Sequence, residues 1–125
     1  MPPLPTDAEL EILAVLWRLG PSTVREVYAD LGKAGAYTTA LKQMQVMLEK
    51  GLLKRSERYR SHVYEAAVGE ADTQQQLAGD LLRRAFGGSA KNLVLGALRA
   101  QPASPEDLAE IRRLVSEFEK RKDPA

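Results

Sequence analysis

The sequence predicts a mainly α chain interrupted once by a β-hairpin, and three observations carry that reading. Apolar residues recur at steps of three and four in six separate stretches. Helix-start or helix-stop signals bound these stretches. Only residues 52–64 break the rhythm, with short apolar groups on either side of a polar run. The 125 residues suit one domain, or a small domain with an appended helical segment.

The elements follow in order. Thr6, with Glu9 three residues on, forms a capping-box pattern, and Leu10, Leu13, Ala14 and Trp17 recur at helical spacing after it. Gly20-Pro21 stops that helix, because Gly favours the position past the end and Pro cannot continue it. A second box, Thr23 with Glu26, opens a short helix carrying Val24, Val27, Tyr28 and Leu31, which ends near residues 32–35. The third helix starts at Thr38 or Thr39 and runs to Lys50, with Gly51 as its stop. Leu41, Met44 and Leu48 fall on one of its faces; Thr39, Lys42, Gln43 and Val46 fall on the opposite one. Leu52-Leu53 and His62-Val63-Tyr64 read as two short strands, with residues 56–61 as the hairpin tip.

Three further helices are expected beyond Gly69. Leu77, Leu81, Leu82, Ala85 and Phe86 mark the first, closed by Gly87-Gly88. Ser89 caps the second, with Leu93, Val94, Ala97 and Leu98. Ser104-Pro105-Glu106-Asp107 opens the third with a capping serine, a proline at the first position and acids in the first turn. That helix carries Leu108, Ile111, Leu114, Val115 and Phe118 and ends in Lys120, Arg121 and Lys122. Residues 123–125 are expected to be a loose tail.

Composition removes most enzyme classes. With no cysteine, disulfides, thiol catalysis and thiolate metal sites are excluded. The single histidine, His62, excludes a multi-histidine site in one chain. A small hydrolase using His62 with Ser61 as neighbour is a poor alternative, since adjacent strand residues point to opposite faces and no third orienting group is evident. His62 reads as packing within the hairpin, Trp17 and Tyr64 as core, and Glu9 and Glu11 as surface charge. No basic stretch followed by an apolar run opens the chain, and no apolar run approaches the roughly 18 residues of a membrane span. The expectation is a cytoplasmic binding protein that is not an enzyme, with no cofactor, no metal and no membrane insertion.

Helix, helix, polar-faced helix, hairpin is the order of a winged helix-turn-helix domain, placed at residues 1–68. Its charge is local. The whole chain is only +1, with 18 Lys and Arg against 17 Asp and Glu. Residues 50–60, however, set Lys50, Lys54, Arg55, Arg58 and Arg60 against Glu57 alone, five minus one, or +4. Phosphate contacts need cations on a tight footprint, and base reading needs side chains that reach edges in the major groove. Thr39, Lys42 and Gln43 are expected to read bases, with Val46 as a contact for a thymine methyl, a partner surface or the tail. Thr38, Lys54, Arg58 and Arg60 are expected to hold phosphates, and Tyr37 and the helix start at Thr23 can add hydroxyls and helix-end amides. The competing reading is a winged-helix module that binds another protein without sequence-specific DNA binding.

Residues 69–125 balance their acids and bases and so add no net attraction for DNA. Their apolar stripes are too extended for a small domain to cover. Leu93, Val94, Leu98, Leu108, Ile111, Leu114, Val115 and Phe118 would stay exposed unless a second copy covered them, and patches of that size usually mark an interface. This segment is therefore expected to be a helical dimerisation region, although folding back into one monomeric core is the alternative.

Several runs also resemble a known family. They are Tyr37-Thr38-Thr39-Ala40-Leu41, Glu49-Lys50-Gly51-Leu52-Leu53-Lys54-Arg55 and Arg60-Ser61-His62-Val63-Tyr64. The opening with Leu4, Glu9, Ile12, Leu16 and Trp17, then Phe86-Gly87-Gly88-Ser89 and Ser104-Pro105-Glu106-Asp107-Leu108, fit the same pattern. Over residues 4–119 the chain resembles the penicillinase-repressor family (BlaI, MecI and CopY type). The resemblance implies a homodimeric transcriptional repressor whose N-terminal winged helix binds a dyad-symmetric operator in double-stranded DNA. It also implies release when a membrane metallopeptidase sensor triggers cleavage in the dimerisation region. Some members release DNA through cysteine-ligated copper; that motif is missing here. Family members commonly carry threonine at Lys42 and arginine at Val46, which leaves the operator sequence open. The family's cleaved Asn-Phe bond is replaced by Gly96-Ala97, which leaves cleavage at that bond and any link to β-lactams open.

Overall fold

The computed structural model describes residues 3–121. Six helices and one hairpin follow in the order α1 (Asp7–Leu19), α2 (Val24–Asp30), α3 (Tyr37–Glu49), β1 (Leu53–Arg58), β2 (Ser61–Ala66), α4 (Glu70–Ala85), α5 (Ala90–Ala100) and α6 (Pro105–Lys120). The chain forms two compact units that divide inside α4, after Asp80.

In the N-terminal unit both capping boxes form. The Thr6 amide donates to Glu9 Oε1 at 2.9 Å and the Glu9 amide donates to Thr6 Oγ1 at 3.2 Å. Thr23 and Glu26 repeat the exchange at 2.8 and 3.1 Å. The buried stripe of α1 is Glu9, Ile12, Leu13, Val15 and Leu16. It is rotated from the expected one: Ala14 is exposed and Leu10 half-buried. Trp17 is half-buried because its indole N–H reaches across the domain to the Val68 carbonyl at 3.0 Å. That bond pins the chain just ahead of α4, whose residues 70–80 belong to this unit and include the buried Thr73.

Helix α3 begins at Tyr37, earlier than expected. Met44 and Met47 are its fully buried residues, with Leu41 and Leu48 half-buried beside them. Gly51, at φ +84°, ends the helix in a left-handed conformation that an L side chain resists. The Leu52 amide then donates back to Met47, and Leu52 and Leu53 turn into the core.

The hairpin is longer than expected. Leu53 pairs with Ala66, Arg55 with Tyr64, and Arg58 with Ser61, so only Tyr59 and Arg60 form the turn. Both have positive φ, +51° and +67°, the pattern of a type I′ turn, which matches the strand twist. Neither is the usual Asn or Gly, which is why the turn is hidden in the sequence. Ser22, just ahead of α2, exchanges two backbone hydrogen bonds with Tyr64 at 2.8 and 2.9 Å and adds a bridge to the hairpin. Leu13, Val27, Met44, Met47, Leu52 and Tyr64 pack into one core under the three helices. This is the expected winged helix.

In the second unit, Ser89 and Ser104 cap α5 and α6 by accepting from the amides of Asn92 and Asp107 at 3.1 and 3.0 Å. Neither α5 nor α6 has a buried residue. Gly96 sits in α5 against Phe86, where an added methyl would lie 3.3 Å from the ring. The tail expected at residues 123–125 lies outside the described residues, as does Lys122. Among the described residues no helix is long and apolar enough to cross a membrane.

Candidate nucleic-acid interface

Met44 and Met47 hold the inner side of α3, and this decides which side chains it presents. Thr38, Thr39 and Lys42 are exposed; Gln43 and Val46 are half-buried. Together with Thr6, Glu9 and Lys50 they line a groove of about 480 Å³ along α3 and the start of α1. The four residues expected on the outer side of α3, Thr39, Lys42, Gln43 and Val46, are thus brought together with Thr38. Val46 lines this groove and does not stand out alone.

Glu9 overturns its assignment as surface charge. It is only 1% exposed, and the Lys50 ammonium donates to its Oε2 at 2.7 Å. Burial pushes the Glu9 carboxyl up, but hydrogen bonds from Lys50 and the Thr6 amide, with the Lys50 charge, outweigh it and hold the group below its usual value. Lys50 is therefore a tie between α3 and α1, and the +4 cluster loses one member.

Two other cations have acidic neighbours. Arg58 lies 3.4 Å from Glu26 and Lys54 lies 3.9 Å from Glu65. All four side chains are about half-exposed or more. Such pairs contribute at most about 1 kcal/mol, so a phosphate can displace the acid. Arg55, Arg60 and Lys42 make no ion pair among the described residues. The Glu26 carboxyl is held below its usual value by the Thr23 amide first, then the Thr23 hydroxyl, with the Arg58 charge adding to them. Thr23's hydroxyl is therefore occupied, and the start of α2 presents an acid where a phosphate contact was expected. His62 is exposed, across the strands from Glu57, and is not packed inside the hairpin. Among the described residues no group of three metal-binding side chains occurs.

Sequence reasoning missed three features. The start of α3 has no side-chain cap, since Ala36 occupies that position, and this leaves the Tyr37 and Thr38 amides without an acceptor within the helix. Arg25 lies over the Tyr37 ring, 4.7 Å from its centroid. Tyr59 stands at the hairpin tip with 94% of its surface exposed. The first was legible as an alanine ahead of Tyr37. The other two depend on a contact between helices and on a turn type.

Positive φ at Tyr59 costs about 1 kcal/mol that its exposed side chain does not recover. Tyr59→Asn is expected to raise stability by up to about 1 kcal/mol, because Asn tolerates the left-handed region. Urea melts of the two proteins check this; an unchanged or lower midpoint would mean the turn is not strained.

In the second unit, Val94, Leu114, Val115 and Phe118 are exposed, and Leu93, Leu98, Leu108 and Ile111 are half-buried. Phe118 leaves 67% of its surface open.

Comparison with known proteins adds a separate line. A family profile described as penicillinase repressor matches residues 5–117. The penicillinase repressor of Bacillus licheniformis is 29% identical over 121 residues, covering 94% of this chain and 93% of that one. The penicillinase repressor of Staphylococcus aureus is 20% identical over 116 residues, covering 91% and 92%. Among solved structures, AbfR of Staphylococcus epidermidis aligns with 94% of this chain and 70% of that one, at 18% identity and a TM-score of 0.44.

Proposed function

The chain belongs to the penicillinase repressor family, and from that premise we propose that it is a homodimeric transcriptional repressor that blocks a promoter by binding a dyad-symmetric operator. One observation carries the reading of the surface. The outer side of α3 gathers Thr38, Thr39, Lys42, Gln43 and Val46 on a single groove, next in sequence to a hairpin whose Arg55 and Arg60 make no ion pair among the described residues. Lys42, Gln43 and Thr39 read base edges: Lys reaches guanine O6 and N7, Gln pairs with adenine in bidentate fashion, and the threonine methyl meets thymine. Arg60, Arg58, Lys54 and Thr38 hold phosphates, with the free amides at the start of α3. Two such units place their third helices one or more helical turns apart, roughly 34–36 Å per turn. The bound dimer then excludes polymerase. The protein acts in the cytoplasm, where that DNA lies.

Selection of bound fragments from genomic DNA, followed by affinity measurements on the recovered site, tests this. Gln43→Ala is expected to cost about 1–3 kcal/mol on that site and to relax discrimination there. Arg60→Ala is expected to weaken binding to all sequences and to reduce the salt slope by about one unit per contact. If both variants bind the recovered duplex as the wild type does, the assignment of this surface fails. The same proposal includes release through a membrane metallopeptidase pathway that cleaves the dimerisation region. A chain that stays at full length in the host while repression is lifted would remove that step.

A further inference from the structure

Arg25 carries a positive charge that no acid balances among the described residues. Its neighbour Glu26 is committed to the Thr23 amide at 2.8 Å and to Arg58 at 3.4 Å. Arg25 also lies in the first turn of α2, where the helix dipole favours acids and opposes a cation. What holds it there is aromatic. Its guanidinium carbon is 4.7 Å from the centroid of the Tyr37 ring, within the range of a cation–π contact. Tyr37 is itself fixed: it meets the Tyr28 ring edge-on, with centroids 5.5 Å apart and planes at 78°. The Tyr28 hydroxyl donates to the Gly35 carbonyl at 2.9 Å. The series Gly35, Tyr28, Tyr37, Arg25 thus places an exposed cation beside the first residue of the base-reading helix.

We infer that Arg25 is a phosphate-holding residue of the DNA interface and that Tyr37 is its positioning residue, acting through the stack of the guanidinium on the phenol ring. The inference rests on the DNA reading above. A guanidinium held over a ring keeps the N–H groups that do not face the ring free to grip a phosphate. An unstacked exposed arginine would lose rotamer freedom on binding; the stack has already removed much of it. A purely structural stack would hold α2 to α3 and leave the count of neutralised phosphates unchanged.

The test uses the full chain and a mixed-sequence DNA duplex long enough for one dimer, with affinity measured across a salt series. The slope of log affinity against log salt counts phosphates neutralised, about 0.9 for each. Arg25→Gln is expected to lower the slope by about 0.9 per bound subunit. Arg25→Lys is expected to keep the slope and bind more weakly, since the charge stays and the flat bidentate fork is lost. Tyr37→Leu is expected to keep the slope and to bind about two- to five-fold more weakly than Tyr37→Phe, which also lacks the hydroxyl but retains the ring. A wild-type slope in Arg25→Gln overturns the assignment of Arg25, whatever happens to its stability. Equal affinity in Tyr37→Leu and Tyr37→Phe overturns the positioning role. If the unaltered protein shows no salt-dependent binding at all, the DNA reading itself falls, and this inference falls with it.

Discussion

Replacing Leu114 and Phe118 together by glutamate is expected to convert the protein to a monomer and to lower operator affinity by about 10²–10⁴-fold. Both residues lie on the apolar stripe of α6, a helix with no buried residue within its own chain. Phe118 leaves two-thirds of its surface open, and Leu114 and Val115 are exposed beside it. Patches of this kind usually mark an interface. A carboxylate placed there must be desolvated without a partner before two copies can meet. On the proposed function, separated copies would each bind a half-site alone and lose the effective concentration that a partner supplies. Neither residue belongs to the N-terminal unit, so its far-ultraviolet signal and melting behaviour should persist. Solution mass and duplex affinity, measured on the same preparations, decide the matter. A wild-type mass equal to one subunit at working concentration would sink the prediction, as would a double variant that remains dimeric.

The second large effect is expected at Lys50. Lys50→Leu should lower stability by about 1–3 kcal/mol, the cost of leaving a buried acceptor without its charged donor, because Lys50 is 38% exposed and water screens its side of the pair. The variant leaves the Glu9 carboxylate buried, with only the Thr6 amide and hydroxyl beside it. Adding Glu9→Gln should recover most of the loss, since a glutamine carbonyl still accepts from Thr6 and carries no charge. The acid response follows from the Glu9 carboxyl lying below its ordinary value of 4.5. A group depressed on folding contributes stability above its unfolded pKa and loses it as pH falls through the lower, folded pKa. The wild type should therefore lose this contribution below about pH 4.5, and the Glu9→Gln, Lys50→Leu protein should not. Urea unfolding from neutral to acid pH measures both. Equal acid slopes in the two proteins would mean that Glu9 is not held as a buried carboxylate.

Much of the fold was open to inspection in the chain itself. Capping residues, glycine stops and apolar steps place all six helices, because these signals act over three or four residues and need no distant partner. The polar side of α3 was legible for the same reason. Once Met44 turns inward, Lys42 and Gln43 must lie elsewhere on the helix. The hairpin was legible only in outline. Its extent depends on the left-handed conformations of Tyr59 and Arg60, and nothing in those two residue types announces a turn of that kind. The stack of Arg25 on Tyr37 joins residues of two helices, and helical periodicity carries no information about contacts across a turn.

The two capping boxes state the division most clearly. Thr6 with Glu9 and Thr23 with Glu26 are the same local pattern, and each starts a helix with the same pair of hydrogen bonds. Residues alone determined that much, since the energy of a cap is decided within one helical turn. Yet Glu26 stays at the surface facing Arg58, while Glu9 is buried and tied to Lys50, forty-one positions away. Only the packing of α1 on α3 decides between those fates. Desolvation and charge pairing depend on what lies across space from a side chain, and that is settled when the helices meet.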